Sequence, residues 1–145
     1  MPVRKANAEW RGDLKGGSGK LSTESGALKD VAYNFSSRFE EGDETNPEEL
    51  VGAAHAASFS MALANNLSNA GFKVNLIKTE DKVRFEKREA GFTITNIELN
   101  TEADVVNIDE ETFMKFAEET KATCPIARAL NTSIEITLNA KLKQM

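Results

Sequence analysis

The sequence predicts an α+β fold in which antiparallel sheets wrap around one buried central helix. Asn46-Pro47-Glu48-Glu49 opens a long Ala-rich helical stretch. From Phe72 to Asp104 the apolar pattern switches to a period of two, the signature of half-buried strands. Ile134, Ile136, Leu138, Ala140 and Leu142 then alternate with polar residues and close the chain as one more strand.

In chain order, the first 35 residues are rich in turn formers. Lys15-Gly16-Gly17-Ser18-Gly19-Lys20 looks at first like a phosphate loop. It has Leu14 where a Walker A loop needs its first Gly, and Leu21 where the loop needs Ser or Thr. A hairpin turn between Val3–Trp10 and Lys20–Glu24 is the expected structure. The next element has Asn46 at the cap, Pro47 at the first helical position and Glu49 three residues after the cap. Leu50, Ala54, Ala57, Met61 and Ala64 recur at helical spacing, and Gly71 ends the helix. So few of its positions are polar that burial on most sides is expected, through the bands Leu50–Ala57–Met61 and Val51–Ala54–Ser58. Phe72, Val74, Leu76, Val83 and Phe85 then alternate up to a turn at Ala90-Gly91. Phe92 and Ile94 sit on even positions, Ile97 and Leu99 on odd ones, so a β-bulge is expected near Thr95-Asn96. Asp109 caps a second helix with Phe113, Phe116, Ala117 and Thr120 inward.

The chain has 145 residues, 18 Lys+Arg against 23 Asp+Glu, one His and one Cys. That length suits one domain over residues 1–145. A net charge of −5 argues against a dedicated nucleic-acid binder. No run approaches the roughly 20 apolar residues of a membrane span, and the charged start is not a signal peptide, so a cytoplasmic address is expected. A single cysteine excludes an intrachain disulfide and a cysteine-based zinc site, and no metal or cofactor is expected.

Four positions could carry chemistry. Pro125 forces Cys124 out of the second helix and can open a short one through Leu130, leaving Cys124 at its N-terminus, where a thiolate is favoured. The bland alternative is a small buried hydrophobe. Arg38, in Phe35-Ser36-Ser37-Arg38-Phe39 on a strand-like segment, is either a surface residue or a cation in an apolar site that needs a carboxylate partner. Glu48 reads locally as an ordinary first-turn acid. His55 has no second metal ligand nearby and is expected to be a satisfied buried histidine. Trp10 is expected to serve packing.

The run Thr45-Asn46-Pro47-Glu48-Glu49-Leu50-Val51-Gly52-Ala53-Ala54-His55-Ala56-Ala57-Ser58-Phe59-Ser60-Met61-Ala62 closely resembles the central helix motif of the OsmC/Ohr family, the osmotically inducible protein C and organic hydroperoxide resistance proteins. Ala8-Glu9-Trp10-Arg11-Gly12-Asp13-Leu14-Lys15, Ser22-Thr23-Glu24-Ser25-Gly26 and Cys124-Pro125 look like its OsmC branch, and the likeness covers essentially the whole chain. The resemblance implies an OsmC-like intertwined homodimer with active sites at the subunit boundary. It also implies a thiol peroxidase for organic hydroperoxides, less active on hydrogen peroxide. In that chemistry a helix cysteine becomes a sulfenic acid and a second cysteine condenses with it, forming an intrasubunit disulfide. A dithiol such as dihydrolipoamide then reduces the disulfide, and no prosthetic group is needed. Carried over, Cys124 matches the resolving cysteine, Arg38 the activating cation and Glu48 the residue that orients Arg38.

Ser58 stands at the position of the attacking cysteine. Serine is a poor nucleophile at neutral pH and cannot form a sulfenic acid or a disulfide, so the chain as written is expected to be inactive. One exchanged atom amid retained partners reads as a Cys→Ser substitution introduced into a working peroxidase. On a straight helix Glu48 and Ser58 lie about 15 Å and about 80° apart. Arg38 and Glu48 of one subunit are therefore expected to meet Ser58 and Cys124 of the other. Phe39 and Phe59 are expected to form an apolar approach favouring organic peroxides. Two other readings stand beside this one: a non-catalytic binder of a hydrophobic or oxidised ligand, and a structural dimer in which Arg38–Glu48 is only an interfacial ion pair.

Overall fold

The computed structural model describes residues 2–130 and 134–143. Its chain forms two compact units, residues 1–50 and 51–145.

The first unit is a three-stranded antiparallel sheet followed by a short helix. β1 (Ala6–Arg11) and β2 (Ser18–Thr23) form the expected hairpin, and β3 (Val31–Tyr33) pairs with the far side of β2. Gly19 lies opposite both Trp10 and Tyr33. A Cβ there would come within 2.6 Å of the Tyr33 ring and 2.7 Å of the Trp10 ring. The missing side chain is what lets the two aromatics meet across the central strand, with ring centroids 5.6 Å apart.

Arg38 does not lie on a strand-like segment; it sits in the last turn of α1 (Phe35–Phe39). Asn34 accepts the Ser37 backbone N–H at 2.8 Å, and the Asn34 N–H donates to the Ser37 hydroxyl at 2.9 Å, a complete capping box. Phe35 and Phe39, four residues apart, stack on one face of that turn at 5.0 Å.

α2 (Pro47–Asn69) opens on Asn46, whose side chain accepts the Glu49 N–H at 2.7 Å. It closes on Gly71, where φ is +93°. The second unit contains α2 from Val51 onward and a sheet in the order β4-β5-β6. β4 (Lys73–Arg88) and β5 (Gly91–Val106) form a long antiparallel hairpin. Its register shifts between Arg84 and Phe85, leaving Thr95 as the extra residue of the expected bulge. β6 (Glu135–Leu142) departs from the all-antiparallel expectation: it pairs parallel to β5. The intervening α3 (Glu110–Thr123) and α4 (Pro125–Leu130) supply the long crossover that parallel neighbours require.

The core of this unit joins Phe59, Leu63 and Leu67 of α2 to Leu99, Ala103 and Val105 of β5 and Phe113 of α3. The expected burial of α2 on most sides is not met within one chain. The buried stripe is Gly52, His55, Phe59, Leu63 and Leu67, because the bulky residues seat on the sheet. Ala53, Ala54, Ala57 and Met61 face outward, and Met61 is 76% exposed. No helix among the described residues is long and apolar enough to cross a membrane.

Candidate active site

In the first unit, Asn46 links the start of α2 to the middle of α1. Its side-chain oxygen caps α2, and its amide donates to the Ser37 carbonyl of α1 at 3.0 Å. That link brings Arg38 to Glu48. The Arg38 Nε donates to Glu48 Oε1 and Nη2 donates to Oε2, both at 3.2 Å, so the guanidinium is held in two-point register. The Glu48 side chain is 11% exposed and that of Arg38 is 40% exposed. The guanidinium carbon also lies 5.4 Å from the centroid of the Phe39 ring. The carboxylate partner that Arg38 was expected to need is therefore Glu48, in the same chain.

Arg38 borders a pocket of about 280 Å³ lined by Trp10, Leu14, Tyr33, Asn34, Phe35, Arg38 and Phe39. Trp10 is more than packing: its indole N–H reaches the carbonyls of Gly12 and Asp13 at 3.1 and 3.2 Å and holds the β1–β2 turn that carries Leu14. Of the two phenylalanines expected to make an apolar approach, Phe39 lines this pocket. Phe59 does not, because it is fully buried in the core of the second unit.

The second unit holds the other two candidates. Ser58 is half-buried on α2, immediately before Phe59. Cys124 ends α3 with φ −63° and ψ 145°, the extended geometry that a following proline favours, and Pro125 opens α4 as expected. The Ala127 N–H lies 3.4 Å from its Sγ. The thiol is 1% exposed and belongs to the same core cluster as Phe59, so Cys124 is at once a helix-start cysteine and a buried apolar residue.

His55 is fully buried, as expected, but only half satisfied: its Nδ1 is hydrogen-bonded to the carboxylate of Asp81 on β4, whose side chain is 1% exposed, while its Nε2 has no partner among the described residues. Asp81 escaped the sequence reading, although it occupies an inward position in the alternation Ile77, Thr79, Asp81, Val83. Among the described residues no cluster of three or more metal-ligating side chains is present.

A family model described as OsmC-like protein matches residues 40–139. The chain belongs to this OsmC-like family. It is 49% identical over 140 residues to the peroxiredoxin OsmC of Escherichia coli K12, covering 97% of this chain and 96% of that one. Among solved structures, an organic hydroperoxide resistance protein from Elizabethkingia anophelis superposes with TM-score 0.75 at 22% identity, covering 99% of each chain. OhrB of Bacillus subtilis superposes with TM-score 0.69 at 23% identity, covering 96% of this chain and 98% of that one. These likenesses establish the α+β OsmC/Ohr fold.

Proposed function

We propose that this OsmC-like chain is a thiol-dependent peroxidase for organic hydroperoxides, held inactive by Ser58. The observation that carries the reading is the two-point Arg38–Glu48 pair beside an aromatic pocket, in a chain 49% identical to a peroxiredoxin. The family match spans residues 40–139 and so draws on both compact units, which supports reading 1–145 as one OsmC-like domain.

With cysteine at position 58, the thiolate attacks one peroxide oxygen and the O–O bond breaks. The leaving alkoxide takes a proton and departs as the alcohol, while the sulfur becomes a sulfenic acid. The Cys124 thiol then displaces water to give a disulfide, which an external dithiol reduces. Arg38 steadies negative charge on the peroxide oxygens, and Glu48 keeps the guanidinium aimed. The pocket of Trp10, Tyr33, Phe35 and Phe39 favours an organic group over hydrogen peroxide, since only the former gains from leaving water. Ser58 stops this sequence at its first step.

The active unit is a homodimer. The outward face of α2 exposes the apolar residues Ala53, Ala54, Ala57 and Met61, and a second copy covering it offsets their exposure to water. The helical separation of Glu48 from residue 58 supports a site built from two subunits. The test is cumene hydroperoxide consumption with dihydrolipoamide, comparing the chain with its Ser58→Cys variant. Turnover by the variant alone is expected. Turnover by neither, with the protein folded, removes the peroxidase reading and leaves a ligand-binding protein.

A further inference from the structure

On its sheet-facing side α2 is matched to successive inward positions of β4. Gly52 lies against Val83, where a Cβ would sit 3.1 Å from a valine methyl. One turn on, His55 meets Asp81. Next, the Ser60 hydroxyl donates to the Ala56 carbonyl at 2.8 Å, so Thr79 must donate to Ser60 across their 2.7 Å contact. Thr79 in turn lies 3.0 Å from the buried Thr101 hydroxyl of β5. Residue 58 falls between these two polar contacts, three residues after one and two before the other.

The His55–Asp81 pair is a poor device for stability. Both side chains are out of water, and among the described residues His55 Nε2 and Asp81 Oδ1 have no hydrogen-bond partner. An apolar pair of similar volume would stabilise the fold as well or better. What a hydrogen-bonded pair adds is direction: apolar contact tolerates a slip of the helix on the sheet, whereas a hydrogen bond from imidazole to carboxylate does not. A slip of one residue moves a helical side chain by about 1.5 Å along the axis and about 100° around it.

We propose that His55–Asp81 and Ser60–Thr79 are positioning residues, two polar locks that bracket residue 58 and fix the direction in which its side chain points. The proposal rests on the peroxidase reading for its catalytic consequence, but not for the geometry itself.

The test uses the full chain carrying Ser58→Cys. One variant adds His55→Leu with Asp81→Val, a second adds Ser60→Ala with Thr79→Val, and a third adds the neutral hydrogen-bonding pair His55→Gln with Asp81→Asn. For the spectra Cys124 is also replaced by Ala, so that no second thiol can displace the label, and the thiol introduced at position 58 carries a trifluoroethylthio group followed by fluorine NMR. The Cys124→Ala chain with Ser58 retained, which has no thiol, serves as the blank. The apolar variants are expected to keep their melting temperature within a few degrees and to lower kcat on the order of tenfold or more with little change in KM. They are also expected to split or broaden the single fluorine resonance. The Gln–Asn pair is expected to restore both the single resonance and most of kcat.

An unchanged resonance and unchanged kcat in both apolar variants would overturn the proposal. So would equal losses in the Gln–Asn and apolar variants. Should the first variant fail to fold, the second decides the matter alone. Should the Ser58→Cys chain show no turnover in any background, the peroxidase reading fails, and the fluorine spectra still decide whether the locks orient residue 58.

Discussion

Glu48 is the residue whose role can be isolated most cleanly. Replacing it with Gln in the Ser58→Cys chain removes the charge and one of the two 3.2 Å contacts to Arg38, and turns an amide N–H₂ toward the guanidinium. Because the Arg38 side chain is 40% exposed, water screens much of the pair. The stability cost is therefore no more than about 1 kcal/mol, or about 2–4 °C in melting temperature. Activity should suffer more, since a guanidinium held at one point swings away from the peroxide. A roughly tenfold fall in kcat/KM, about 1.4 kcal/mol, is expected. Arg38→Met deletes the donor itself and should cost on the order of 10²- to 10³-fold. The decisive variant is the double one. If Glu48 acts only through Arg38, Glu48→Gln adds nothing once Arg38 is gone, and the double variant matches Arg38→Met within about 0.5 kcal/mol. Cumene hydroperoxide consumption with a dithiol measures all four chains. A further tenfold loss in the double variant would show that Glu48 touches the chemistry directly. Full activity in Arg38→Met would refute the site.

Three other outcomes follow from the geometry. The native chain should leave its one thiol almost unreacted with a disulfide reagent such as DTNB and release one equivalent on unfolding, because Cys124 is 1% exposed; rapid native labelling would contradict the buried junction. Gly19→Ala should cost about 1–3 kcal/mol and shift the fluorescence of the single tryptophan, since the new methyl meets the rings of Tyr33 and Trp10; unchanged melting would mean that the aromatics separate freely. The Asp109 carboxyl is held below its usual range by the hydrogen bonds from the Thr112 side chain and then the Thr112 backbone. A lowered folded-state pKa gives stability that is present above the unfolded value and lost as pH falls through the folded one. The melting difference between the parent and Asp109→Ala should accordingly shrink in that acidic window, and a difference independent of pH would deny the cap its charge.

Much of the fold was legible because it rests on local chemistry. Asn46-Pro47, Asp109, Gly71 and Cys124-Pro125 mark helix ends through caps, a fixed φ or a left-handed residue, and each acts within a few positions of itself. The Thr95 bulge was visible as a change of parity. The direction of β6 was not legible, since alternation is the same in parallel and antiparallel strands and only the length of the α3–α4 crossover separates them. The α1 turn was missed because five residues are too few for a helical period. Its signals were the Asn34–Ser37 box and the Phe35/Phe39 spacing.

The site divides along the same line. Arg38, Glu48 and Cys124 were singled out by the family resemblance, and the structure supplied the reason why two of them form a unit: Asn46 ties the carbonyl of Ser37 to the start of α2. The face of α2 was misread because small residues suggest burial as strongly as large ones do. Ala53, Ala54 and Ala57 are exposed, whereas Phe59 and Leu63 pack on the sheet. His55 needed a partner that no spacing rule locates, 26 residues away on a strand. Its trace in the sequence was an acidic residue at an inward position of β4, where burying a carboxyl group without a hydrogen-bond partner would be too costly to persist. An inward Asp and a lone helix His within one small protein therefore make a pairing that physical reasoning can reach before the chain is folded.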